Sequence, residues 1–91
     1  LCYAETEKRN VMLHFEGQQQ RIYKNMKEVS SLLLGQPQFA CPHQSFVVNM
    51  AYVKSVESLE LVMTTGEHIP ISQPKRKDFM MKLTDFWGDM L

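Results

Sequence analysis

Several things are scarce in this chain, and each scarcity removes a class of protein. Among 91 residues there are two cysteines, Cys2 and Cys41, too few for the disulfide frameworks that hold small secreted domains together. A reduced, cytoplasmic setting is the simplest reading. A small buried thiol then explains each cysteine, with a Cys2–Cys41 redox pair as the alternative. The four glycines stand singly, so no glycine-rich loop can cradle a phosphate. No apolar run is long enough to span a bilayer, and no basic-then-apolar leader is present. An excess of either charge is also missing, with ten Lys and Arg against ten Asp and Glu.

What is present suffices for one small domain. A hydrophobic content of 44% is ordinary for a globular chain, and this length folds without a metal or disulfide. We expect residues 1–91 to form a single domain. The chain opens on a strand-like segment, which reads as the C-terminal module of a longer protein.

The alternation of apolar and polar residues predicts strands at Leu1–Ala4, Val11–Phe15 and Gln20–Tyr23. The turns between them are a charged hairpin tip, Glu5 to Asn10, and Glu16-Gly17. Asn25 followed by Glu28 has the form of a capping box, and Val29, Leu32, Leu33 and Leu34 predict a short helix with a leucine face in the core, ended by Gly35. Strands follow at Val53–Val56 and Leu59–Met63. Thr64-Thr65-Gly66-Glu67 makes a turn, and His68–Ile71 is an edge strand because Pro70 cannot donate to a central ladder. Ser72-Gln73-Pro74 opens a last helix, whose buried face is marked by Phe79, Met80, Leu83, Phe86 and Trp87.

The most informative stretch runs from Phe39 to Asn49. A polar cluster, His43-Gln44-Ser45, follows Pro42 and precedes the β-branched run Phe46-Val47-Val48. Asn49 is placed to cap a short turn at Met50-Ala51-Tyr52. Such an anchored polar tip suits recognition. Asn49 as a cap, Ser45 as a loop-fixing hydroxyl and Trp87 as core are structural readings that require no ligand.

Catalysis finds little support. Cys41-Pro42-His43 brings a thiol near an imidazole, but adjacency in sequence does not make a nucleophile–base pair, and no third residue orients them. His14, His43, His68 and Cys41 lack the spacing of zinc ligands, and His14 alternates onto the solvent face of its strand. We expect neither an enzyme nor a cofactor.

The residues Phe39-x-x-x-His43-x-Ser45-x-x-Val48-Asn49, followed by Gly66-x-x-Ile69-Pro70-Ile71-Ser72, resemble the LytTR DNA-binding domain, the output domain of bacterial response regulators. Glu5 with Lys8-Arg9 matches upstream, so the resemblance covers nearly the whole chain. It implies a mainly β fold with short helices: small antiparallel sheets packed in a row, one short central helix and a C-terminal helix. It also implies sequence-specific binding to double-stranded DNA through loops in successive major grooves. Promoter repeats would bring two copies together as a dimer, under an upstream receiver or sensor domain. By the resemblance, the DNA-binding residues are Lys8 and Arg9 at the first hairpin, His43 and Gln44 at the central tip, and Ser72, Gln73, Lys75 and Arg76 at the start of the last helix. Their chemistry suits the task, since Arg can bond guanine, Gln can bond adenine, and Lys can neutralise phosphate.

Two positions depart from the family pattern. Cys41 and Gln73 stand where the family usually has arginine, and each removes a cation from the expected DNA face. With zero net charge, DNA affinity then depends on segregating the remaining cations, Lys8-Arg9, Arg21/Lys24/Lys27 and Lys75-Arg76-Lys77, from acids at Glu57, Glu60, Glu67, Asp85 and Asp89. The alternative is a protein-interaction module on the same fold with weak or no DNA binding.

Overall fold

A computed structural model describes residues 1–90. Eight strands form two antiparallel sheets, joined by two α-helices and one short 3₁₀ turn. The strands are β1 (Tyr3–Glu7), β2 (Asn10–Phe15), β3 (Gln18–Ile22), β4 (Phe39–His43), β5 (Phe46–Asn49), β6 (Val53–Glu57), β7 (Glu60–Met63) and β8 (His68–Pro70); α1 is Met26–Leu33 and α2 is Gln73–Asp89. The larger sheet has the order β3-β2-β1-β5-β4 and the smaller β6-β7-β8. This is the expected architecture, with Pro70 on an edge strand.

Local sequence explains most of the boundaries. Asn25 caps α1 by accepting from the Glu28 amide at 2.9 Å. Asn49 caps the turn at Met50–Tyr52 by accepting from the Ala51 amide at 3.0 Å. Four hairpins close through two-residue turns, at Lys8-Arg9, Glu16-Gly17, Gln44-Ser45 and Ser58-Leu59, as the pairings Glu7↔Asn10, Phe15↔Gln18, His43↔Phe46 and Glu57↔Glu60 require. Three of these turns, all but Gln44-Ser45, use left-handed backbone. It is supplied cheaply by Gly17, at φ 76°, and at a conformational cost by Lys8 and Ser58, at φ 57° and 55°.

Two cores lie on the two faces of the larger sheet. Ala4, Val11 and Val29, with Leu13, Ile22, Met26 and Leu33, join that sheet to α1. On the other face, Tyr3, Ala40 and Val48 meet Leu61, Met63, Ile69, Phe79 and Leu83, so the smaller sheet and α2 share one core. Truncation at such a site, Leu83→Ala for example, costs about 2–5 kcal/mol.

The structure corrects several expectations. β1 continues to Glu7 and β3 ends at Ile22, leaving Tyr23 81% exposed. The face of α1 that packs is Met26, Val29 and Leu33; Leu32 and Leu34 lie about 100° to either side of Leu33 and are exposed. On α2 the packed stripe runs Phe79, Leu83, Phe86, which turns Trp87 outward. His14 is half-buried, because that face of β2 is turned towards the second core. Its ring stacks on Tyr3 at 4.2 Å and its Nε2 lies 2.7 Å from the Glu5 carboxylate. Burial, with the Glu5 charge second, pushes the Tyr3 phenol up to about 12, so it stays neutral.

Asn49 does more than cap. Its main-chain N–H, which any residue would supply, donates to the Cys2 carbonyl at 2.8 Å, and its side-chain Nδ2 donates to the Leu1 carbonyl at 3.0 Å. Asn49→Ala should therefore cost about 1–2 kcal/mol of stability. Asn49→Asp, which keeps the capping oxygen and loses the donor, should fall in between. Chemical denaturation of the three proteins checks the order.

Candidate nucleic-acid interface

Strand direction brings three loops that are distant in sequence to one end of the molecule. β1 pairs antiparallel with both β2 and β5, with Glu5 opposite Phe46. The Lys8-Arg9 turn at the end of β1 and the Gln44-Ser45 turn before β5 therefore emerge side by side. The Thr6 amide donates to the Ser45 carbonyl at 2.9 Å and fastens the two tips together. The third loop is tied on by the Ser72 amide, which donates to the Pro42 carbonyl at 2.9 Å. Lys8, Arg9, Gln44 and Gln73 are exposed, while His43, Ser72, Lys75 and Arg76 are half-buried.

The His43 ring is fixed before any ligand arrives. The Ser45 amide donates to its Nδ1 at 3.0 Å. An amide N–H can only donate, so Nδ1 accepts and the ring proton stands on Nε2. Phe46 packs edge-on against the ring at 5.8 Å. The tip thus presents a neutral imidazole whose free polar group is a donor, suited to a phosphate oxygen or a purine N7. Ser45 fixes the loop through its main chain; among the described residues its hydroxyl makes no hydrogen bond. The Cys41 thiol is turned inward, donating to the His43 carbonyl at 3.1 Å. Burial pushes the Cys2 thiol up, which makes it a poor nucleophile.

Ion pairing separates the charges that composition leaves balanced. Arg21 bonds Glu7, Lys24 lies 3.9 Å from Glu28, and Lys82 lies 3.5 Å from Asp78. Among the described residues, Lys8, Arg9, Lys75, Arg76 and Lys77 pair with no acid. The first turn of α2 carries no acidic side chain and has Pro74 near its start, so the positive end of a 17-residue helix adds to the same field. All five cations at the three loops are therefore unpaired, while three of the other five are neutralised in place and Lys27 and Lys54 stand free elsewhere among the described residues.

Two features of this end were not foreseen. Thr6 is exposed between the two tips, on a strand that runs to Glu7 where the sequence pattern predicts a turn. The Ile71 amide donates to the Leu59 carbonyl at 2.7 Å, which brings the β6–β7 hairpin, with Glu57 and Glu60, to the same end. Glu57, Glu60 and His68 are the described residues whose ligand atoms, all within 4.8 Å of one another, could hold a metal ion, a grouping that a search among histidines and cysteines misses. His68 Nδ1 lies 2.7 Å from Glu60, and that bond raises the imidazole above its ordinary value. The contact stabilises fully below the unfolded value of about 6.5 and fades as pH rises through the raised one.

Comparison with known proteins gives the family and the fold. The model of the LytTr DNA-binding domain matches residues 1–84, and the chain belongs to that family. Among solved structures it is similar to the LytTr DNA-binding domain of a methyl-accepting/DNA response regulator from Bacillus cereus. The two are 25% identical, with a TM-score of 0.79 over 91% of this chain and 80% of that one. No curated protein sequence matches. Among the described residues no helix is long and apolar enough to cross a membrane.

If these loops meet DNA, Arg9→Ala should weaken specific binding by about 1–3 kcal/mol when the contact is to a base. Its melting temperature should stay close to that of the parent, because an exposed turn residue moves stability by no more than about 0.5 kcal/mol. Gln44→Ala should likewise melt normally and lose sequence preference. Paired melting and duplex-binding measurements check both.

Proposed function

We propose that this chain is the output domain of a bacterial transcriptional response regulator, one domain over residues 1–91 at the C-terminal end of a longer protein. It reads duplex DNA by inserting loops into the major groove. Arg9, His43, Gln44 and Gln73 face base edges; Lys8, Ser72, Lys75 and Arg76 hold the phosphate backbone. Paired promoter repeats bring two copies together, and an upstream receiver or sensor domain supplies the signal. The observation that carries this reading is the meeting of three sequence-distant loops, with unpaired cations, at one end of the fold.

The loss of arginine at Cys41 and Gln73 favours one other reading, a protein-interaction module that keeps the fold and little DNA affinity. Salt dependence separates the two. Each neutralised phosphate contributes a slope of about −0.9 in log affinity against log salt, so about four contacts from Lys8, Lys75, Arg76 and Lys77 give a slope of about −3.6. An interaction module gives no such slope.

Gln73→Arg sharpens the test. Gln73 is exposed at the first position of α2, beside Pro74, so folding should be unaffected. The change should strengthen binding to every duplex, steepen the slope by about 0.9 and move preference from adenine towards guanine at one base pair. Competition between duplexes varied one pair at a time measures this. Unchanged affinity and preference would remove the α2 loop from the interface.

A further inference from the structure

The outward face of α2 carries a groove of about 580 Å³, lined by Gln73, Arg76, Lys77, Met80, Met81 and Thr84, with Asp85 at its far end. These positions follow one helical stripe. Met80 rests on the core and Met81 is 59% exposed, so the floor is apolar, unbranched and able to adapt to an occupant. Arg76 and Lys77, without acidic partners among the described residues, stand near one end. On a different part of the surface, the tight Glu57-Ser58-Leu59-Glu60 hairpin holds up an apolar side chain, Leu59 at 39% exposure, with a carboxylate on each side. Among the described residues, Glu57 pairs with no cation.

We propose that the Glu57–Glu60 hairpin of one copy docks in the α2 groove of a second copy of this chain. Leu59 lies on Met80 and Met81, and Glu57 and Glu60 meet Arg76 and Lys77. Asp85, repelling the same carboxylates, fixes which way round the hairpin lies. The matching surface is found on the chain itself: its carboxylates complement the cationic end of the groove and its leucine the methionine floor. The contact is small, so in free solution it is weak. Ile71 ties the hairpin beside Ser72, and Gln73 opens the groove, so both surfaces lie next to the proposed DNA-binding loops. Copies held on one duplex would meet at this level with a raised effective concentration. That use of the contact rests on the DNA-binding reading; the contact itself does not.

The test is therefore run without DNA. Amide NMR spectra of the isolated chain, recorded from micromolar to millimolar concentration, should shift at residues 57–60 and 76–84 together. Leu59→Ser and Met81→Glu, both at exposed positions outside the DNA-binding set, should each weaken self-association by about tenfold or more, which is about 1.4 kcal/mol. Circular dichroism should show both variants folded. The decisive arm mixes the two variants, since Met81→Glu keeps a sound hairpin and Leu59→Ser a sound groove. The mixture should recover association that neither variant shows alone. Absence of concentration-dependent shifts, shifts at the groove without residues 57–60, or failure of the mixture to recover would each overturn the proposal. DNA affinity measured on the separate variants decides the other reading independently.

Discussion

The fold and its candidate site both depend on the antiparallel pairing of β1 with β5. These strands are far apart in sequence, and their alignment, Tyr3 opposite Val48 and Glu5 opposite Phe46, decides which turns come out beside each other. A slip of one residue would reverse every side chain on β5 and carry the Gln44-Ser45 tip away from Lys8-Arg9. The register is held at its base by Asn49, which reaches the carbonyls of Leu1 and Cys2 while capping the next turn. At the other end the Thr6 amide closes on Ser45. One residue's three polar groups thus set the position of a tip several residues away.

A chain with no net charge can offer a cationic end when part of its charge is paired off elsewhere. Glu7, Glu28 and Asp78 each hold a basic partner. Exposed pairs of this kind contribute about 0–1 kcal/mol to stability, so their importance here is spatial. They neutralise three cations away from the three loops, whose own five cations have no acidic partner among the described residues. The cation that Gln73 does not supply is partly offset by the amino end of α2, whose first turn has no acid.

Much of this was legible in the sequence where chemistry is local. The caps at Asn25 and Asn49, the edge position of Pro70 and the start of α2 at Ser72-Gln73-Pro74 all follow from residues acting on neighbouring backbone. Turn residues also announced the three tips. What could not be read depends on a second surface. Leu32 and Trp87 look like core in a linear pattern, yet each lies one helical step away from the face that its neighbours cover. His14 alternates as a solvent residue should, but its face of the sheet looks towards a second core. Which cations are free was hidden for the same reason, since Arg21 and Glu7 meet across strands fourteen residues apart. Nor could the tautomer of His43 be inferred, because it is set by a main-chain amide at Ser45.

The central claim is that Lys8-Arg9, His43-Gln44-Ser45 and Ser72 to Lys77 act as one surface against DNA. Hydrogen–deuterium exchange of the chain with and without bound duplex tests it most directly. Protection is expected together in the segments around residues 8–9, 43–45 and 72–77, with the β2–β3 turn at Glu16-Gly17 unchanged. Protection of one of these segments alone, or of the Glu16-Gly17 turn in their place, would contradict it.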